Sequence, residues 1–451
     1  MIARAQKGWL RFVATFGHAE NLAVLRVAVA AAILLAPDIH DARRWATLPT
    51  GLHAAPSGLA SGLLSASVSP LLANVAFFLV VAGALAALVG LFARAALTVV
   101  AAAELYLLGV PQLFGPVTHN HHLVWFAALL AASPCAEAIS IDAWRRGRPR
   151  SRASPAFAIP LAFAWALVAT VFFFPGLWKL RASGLAWITS DNLRNQMYWK
   201  WAQAGFLPAL RVDRYPWLCR LGAFGVVGFE LGFGAALLSR RLRRAAVCGA
   251  WLFHLATAIF LRVSFFSLAL SYVMFFDWRD VVAAARSRVA PRKARMRPDS
   301  LDRRCVSART LPALGVGAIL VAGSVLAGAR GRVDDWPFAC YPTFQNLAGT
   351  EMPALRVEAV RDDGARIPLE AAPIVTDQRQ RLWALMWSLM SRGDQRARLE
   401  SYWRALAEDE RVREAASGAR RIRFYRVWIS VIPEDRWRPP VREELLYEIE
   451  R

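Results

Sequence analysis

Nine apolar runs divide this 451-residue chain, near residues 21–37, 70–92, 95–114, 121–140, 157–178, 217–239, 245–261, 264–277 and 310–328. A hydrocarbon core is about 30 Å thick and takes roughly 20 helical residues to cross. Because no water inside it can satisfy an open backbone, a spanning run has to coil into a helix. The runs predict an all-α polytopic membrane helix bundle of about nine transmembrane helices, the eighth of them short.

Charge orders the runs. The formal net charge of +22 would suit nucleic acid, but the basic residues sit in short loops between apolar runs, where they set topology. No nucleic-acid partner is expected; the bilayer is the partner. The clusters are Arg4, Lys7 and Arg11, then Arg145 to Arg152, Arg240 to Arg244, and Arg279 to Arg309. If all four are cytoplasmic, an even number of crossings separates neighbouring clusters: four, two and two. The stretch 245–277 must then split near Leu261-Arg262-Val263-Ser264, and one last Gly- and Ala-rich helix carries the chain outside. Loops 38–69, 115–120 and 179–216 share that outer face with the C-terminus. The basic N-terminus lacks a small-residue cleavage site, so the first run reads as a retained helix. The Arg- and Ala-rich composition points to a bacterial inner membrane. The five cysteines are scattered, without ligand or disulfide spacing.

From Val333 the period changes. Leu355, Val357 and Ala359 alternate with polar residues, Asp362-Asp363-Gly364 marks a turn, and Ala365 to Leu369 pair back as a hairpin. Helices over about 376–391 and 394–416 follow, then strands over Arg421 to Val431 and Glu443 to Ile449. This is a small α+β domain of roughly 115 residues, enough for one modest core and lacking any nucleotide-binding or hydrolase motif. Trp336-Pro337-Phe338-Ala339-Cys340-Tyr341-Pro342-Thr343-Phe344 reads as a rigid strap across the outer helix ends. The expected organisation is a cytoplasmic tail 1–20, a bundle 21–280, a basic linker 281–309, a last helix 310–328 and an extracytoplasmic domain 333–451, which could dock a periplasmic protein partner.

Two polar clusters break the apolar pattern at the outer face: Thr118-His119-Asn120-His121-His122 and Pro175-Gly176-Leu177-Trp178-Lys179. In the first, Asn120 or Thr118 is placed to cap a helix, and the imidazoles either stay wet or turn one ring inward to a substrate. A metal needs three or four ligands, and His254 is the only further candidate histidine, so no metal is expected. In the second, Lys179 follows Phe172-Phe173-Phe174 and a Pro-Gly break. It is either a lysine snorkelling at a helix end or a desolvated amine that acts as a base. Glu230 and His254, at membrane depth, fit a polar cavity or interhelical hydrogen bonds. Trp178 and Trp187 belong either to an aromatic belt or to a lid.

The sequence Asn120-His121 opening a helix that ends in Pro134 and Asp142, then Gly176-Leu177-Trp178-Lys179-Leu180, then Phe253-His254, with Leu25-Arg26-Val27 early, resembles the horizontally transferred transmembrane (HTTM) domain family. The likeness covers about residues 15–280. Its characterised member is the vitamin K-dependent gamma-glutamyl carboxylase, and the resemblance implies Lys179 as the base acting on a reduced, vitamin K-like quinone, with His121 assisting. Asn120, His122, Trp178, Glu230 and His254 are then expected around the cavity. The chain departs from the carboxylase where Trp178-Lys179-Leu180-Arg181 replaces Lys-Lys-Leu-Asp, and its outer domain is small. The resemblance thus implies a scaffold and a quinone-sized, outward-facing cavity without implying glutamate carboxylation. The competing readings are an enzyme with a lysine base and a membrane anchor that presents residues 333–451 to a partner.

Overall fold

A computed structural model describes residues 2–451 apart from 55, 59–61, 63, 65–67, 116–119, 148–152, 290–307, 340–343, 370–371, 375–378 and 392–394. Thr118, His119, Cys305 and Cys340 therefore lie outside the described residues. The bundle comprises α1 (Ile2–Phe16), α2 (Ala19–Leu35), α3 (Pro37–Trp45), α4 (Pro70–Val89), α5 (Ala93–Leu107), α6 (His121–Ala131), α7 (Pro155–Ser183), α8 (Asn192–Ala204), α9 (Pro216–Leu238), α10 (Arg240–Ala256), α11 (Phe266–Leu270) and α12 (Leu311–Arg330). The basic N-terminal tail is itself helical.

Among the described residues six helices are long and apolar enough to cross a membrane: Pro70–Val89, Ala93–Phe114, Pro155–Ser183, Pro216–Leu238, Arg240–Leu261 and Leu311–Arg330. A seventh arises if Gln6–Phe16 and Ala19–Leu35, bent by 68°, count as one span. By length and composition, then, six or seven helices qualify as spans where nine were expected. Runs 121–140 and 264–277 hold only the short helices His121–Ala131 and Phe266–Phe275, because Ser133-Pro134 interrupts one and the other starts only after the Arg262 to Phe265 break.

Arg26 explains how the non-helical remainder of the first run is tolerated. Fully buried in α2, its guanidinium donates to the Cys135 carbonyl at 2.9 Å, the Ala138 carbonyl at 3.5 Å and the Ile139 carbonyl. Asp142 then accepts from the Phe92 and Ala93 amides at 2.9 and 3.1 Å, capping α5. Irregular backbone at this depth is admissible only where protein supplies its partners.

Contacts define two ends. At one, Ser154 N–H donates to the Gly17 carbonyl at 2.8 Å, Trp278 N–H to Asn21 Oδ1 at 2.6 Å, and Arg243 lies over Phe16 at 5.0 Å. At the other, Asp38 ion-pairs with Arg381 at 2.9 Å and accepts from Asn120 Nδ2, while Ser267 Oγ donates to Asn120 Oδ1 at 2.5 Å. The segments 120–139 and 267–278 each run between these ends despite their short helices.

Helix α12 seats on α7 through its glycines. A Cβ on Gly317 or Gly328 would lie 2.3 Å from the Phe163 ring or 2.2 Å from the Phe174 ring, a close small-residue approach of the kind that joins helices in lipid.

The C-terminal region forms an antiparallel sheet of order β2-β1-β3-β4, with β1 Glu351–Arg361, β2 Arg366–Pro368, β3 Ala419–Ser430 and β4 Arg442–Glu450. Opposed pairs Val357↔Phe424 and Ala359↔Ile422 put one face into the core, against α13 (Arg379–Ser391) and α14 (Gln395–Leu406). The expected helix 394–416 breaks at 407–409, where Asp409 caps α15 (Glu410–Ala415) by accepting from the Arg411 amide. The domain shares one buried core with the bundle: Leu385, Leu389 and Leu399 join Trp45 and Phe114, and Arg398 donates to the Leu52 carbonyl at 3.2 Å.

Arg26→Met removes the donors to buried carbonyls, each of which costs about 1–3 kcal/mol when left unsatisfied. Thermal unfolding of the detergent-solubilised chain is expected to lose several degrees, whereas Arg44→Met, at a half-exposed ion pair, changes little.

Candidate functional site

Helix α7 carries Pro175 and Gly176 inside it. Pro175 withholds a backbone donor and loosens the helix there. Gly176 removes the side chain that would keep α9 away: a Cβ on it would stand 2.9 Å from Glu230 Cβ. One turn on, on the same face, Lys179 reaches α9, and its Nζ donates to both Glu230 carboxylate oxygens at 2.8 Å. Both side chains are buried. Lys179 is thus met by a carboxylate and is not an isolated amine. Nζ also lies 5.4 Å from the centroid of the Trp187 ring.

The pair forms one wall of a cavity of about 90 Å³ whose other walls are mostly apolar, among them Phe172, Trp187, Phe253, Leu261, Phe265 and Phe344. His254 lines it too. Its Nε2 meets the Tyr272 hydroxyl at 2.6 Å, while the buried Nδ1 has no hydrogen-bond partner among the described residues. Just past His254, α10 widens into a π turn over Thr257–Leu261 and ends at Arg262 with φ 54°, a departure frequent at functional sites. Trp201 Nε1 donates to the Phe260 carbonyl at 2.6 Å, and Trp187 Nε1 donates to the Phe344 carbonyl at 2.6 Å. The buried Trp187 and Phe344 therefore close the cavity from the domain side; the expected strap runs through residues 340–343, which lie outside the described residues.

Of the residues expected from sequence, Lys179, Glu230 and His254 come together here. His121, His122, Asn120 and Trp178 do not line this cavity. Trp178 faces α12, donating to the Gly328 carbonyl at 2.7 Å. His121 is buried against Trp125, with ring centroids 4.5 Å apart, and His122 lies by Phe126 at 5.9 Å. Asn120 occupies the N-cap position of α6 without a capping side-chain bond; its amide is spent on Asp38 and Ser267 instead. Among the described residues no group of three His, Cys, Asp or Glu side chains gathers to hold a metal ion.

Sequence reading missed Tyr272, Asp38 and Arg381, whose partners are all distant in the chain. It also missed Glu104, completely buried in α5 with neither oxygen hydrogen-bonded among the described residues. A carboxyl inside an apolar run was a readable signal. On α8, outside the spans, Lys200 is partly buried over the Phe344 ring at 5.5 Å. Desolvation pushes its ammonium down to about 8 from the usual 10.5.

The HTTM domain model matches residues 18–278. The chain belongs to the HTTM domain family. No curated protein and no solved structure matches it. The family region runs from α2 to Trp278 and holds the Arg26 clamp, Lys179, Glu230 and His254. The last helix and the sheet domain lie beyond it.

Removing one member of a buried ion pair strands the other, at about 3–5 kcal/mol, whereas replacing both by apolar groups is often neutral. Lys179→Met and Glu230→Leu are each expected to unfold earlier on heating, and the double variant to recover most of the loss in a double-mutant cycle. Lys200 has a folded pKa near 8, below its unfolded value. Its charge opposes folding below that pH, and stability rises as pH climbs from about 8 to 10.5. Lys200→Met should flatten the change in unfolding temperature across that interval.

Proposed function

We propose that this HTTM protein is a multi-pass protein of a bacterial inner membrane whose Lys179–Glu230 pair binds and deprotonates a small lipophilic acid. In this reading the basic end faces the cytoplasm and the cavity lies toward the outer, domain-bearing end, behind Trp187 and Phe344. The segments 120–139 and 267–278 complete nine traverses, which keeps the crossings between basic clusters even. The observation that carries the chemistry is the buried Lys179 ammonium bound by both oxygens of Glu230 at the wall of an apolar cavity. An acid entering beside the pair gives its proton to the Glu230 carboxylate, and its conjugate base is left facing the Lys179 ammonium. One proton moves, no net charge is created in the cavity, and the low dielectric strengthens the new pairing. His254 Nδ1 supplies a further hydrogen-bonding position for the ligand.

A reduced quinone of the vitamin K type fits the donor set, because apolar walls and a few polar groups suit it. It does not fit the volume. The cavity, about 90 Å³, is below the ~150 Å³ that admits benzene and below the ~300–1,000 Å³ of ordinary ligand sites. Trp187 and Phe344 would have to withdraw first, so the proton transfer above belongs to the small acid alone. Carboxylase-like use of Lys179 is the second reading, favoured by its place in the Gly-Leu-Trp-Lys segment.

The test is reductive methylation of Lys179 in the full chain, read by mass spectrometry, with acetic acid or reduced 2-methyl-1,4-naphthoquinone as probe. Protection by acetic acid, smaller than benzene, supports the small-acid reading, and protection by the naphthoquinol alone supports the quinol reading. A lysine methylated at the same rate with either probe or none overturns both.

A further inference from the structure

A second cavity, of about 1030 Å³, opens at the basic end of the bundle, remote from Lys179. The amphipathic helix α1 forms one side, α7 and α9 the floor, and the start of α10 the rim. Its two halves differ in chemistry.

The inner half is apolar and narrow-walled. On α7, Ala162, Ala166 and Ala169 recur at helical spacing along one face. They leave a slot that ends where Gly234 of α9 comes so close to Ala169 that an added Cβ would sit 3.3 Å from the alanine methyl. The rim carries Arg11, Arg240 and Arg243, and among the described residues no acidic side chain lines the cavity. Among the described residues none of the three arginines has an ion-pair partner. Arg243 lies over Trp165 at 4.9 Å and over Phe16 at 5.0 Å. Stacked in this way, a guanidinium still has its edge N–H groups to offer, the fork that grips phosphate oxygens in pairs. Arg240, Arg241, Arg243 and Arg244 also crowd the first turn of α10 with no acidic residue beside them. Their mutual repulsion adds to the positive end of the helix dipole, and among the described residues no acidic partner compensates this charge.

We propose that this groove is a binding site for an anionic phospholipid of the surrounding bilayer, its phosphate held by Arg11, Arg240 and Arg243 and an acyl chain laid along the alanine slot of α7. Uncompensated charge calls for an anion, and the adjoining apolar slot calls for a hydrocarbon tail; free phosphate would use only the first. The inference needs only the membrane character of the chain and is independent of the reading of the Lys179 cavity.

The experiment uses the full chain in neutral detergent. Phosphatidylglycerol binding is measured by native mass spectrometry and by the rise in unfolding temperature, beside phosphatidylcholine and inorganic phosphate. Phosphatidylglycerol is expected to bind and stabilise, with phosphatidylcholine and phosphate weaker. Each arginine near a lipid surface contributes about fivefold in affinity, so Arg11→Gln/Arg243→Gln should weaken binding ~25-fold. Ala166→Phe fills the slot and should weaken it with every charge kept. Arg11→Gln alone alters an exposed residue of α1 and covers the case in which the double variant does not fold. Equal binding of phosphatidylcholine, full competition by phosphate, or wild-type affinity in the arginine variants would overturn the proposal.

Discussion

In an apolar surrounding every polar group must find its partner inside the protein, and this requirement governs the chain from Arg26 to Glu230. The Arg26 guanidinium donates to carbonyls of the turn segment that follows α6. That allows a run too short in helix to pass between the same two ends as its longer neighbours. The Lys179–Glu230 pair obeys the same rule with two charges, each the other's compensation. Gly176 is the enabling residue, since only its missing side chain lets α9 come near enough for the two to meet.

The cavity and the fold are therefore one construction. The glycine that admits Glu230 sits one turn before Lys179, and Trp178, between them in sequence, turns to the opposite side to receive α12. A single helical segment thereby seats the last helix with one face and builds the site with the other. The segment leading to the sheet domain contributes the closing wall through Phe344, and the Asp38–Arg381 pair locks the domain onto the bundle. A change in how that domain sits would be felt at Phe344 and Trp187.

The arginines divide by the same rule. Arg26, Arg381 and Arg398 are buried and find carbonyls or carboxylates within the chain. Arg11, Arg240 and Arg243 stand at the rim of a groove that no carboxylate lines among the described residues. The first group is structural, and the second is where the protein meets the molecules around it.

By itself the sequence determined the membrane class, the position of the apolar runs, the gathering of basic clusters and the hairpin-plus-helices pattern of residues 351–450, because these rest on local periodicity and charge. It also marked Lys179, Glu230 and His254, since charge inside an apolar run is visible without coordinates. Only the tertiary structure decided that these three share one cavity while His121, His122, Asn120 and Trp178 lie elsewhere. Helix rotation and the partners of Asp38, Tyr272 and Arg381 depend on contacts between residues far apart in sequence. The number of full-length helices was likewise out of reach, because hydropathy counts apolar residues and cannot see a distant arginine that lets an unwound segment take the place of a helix.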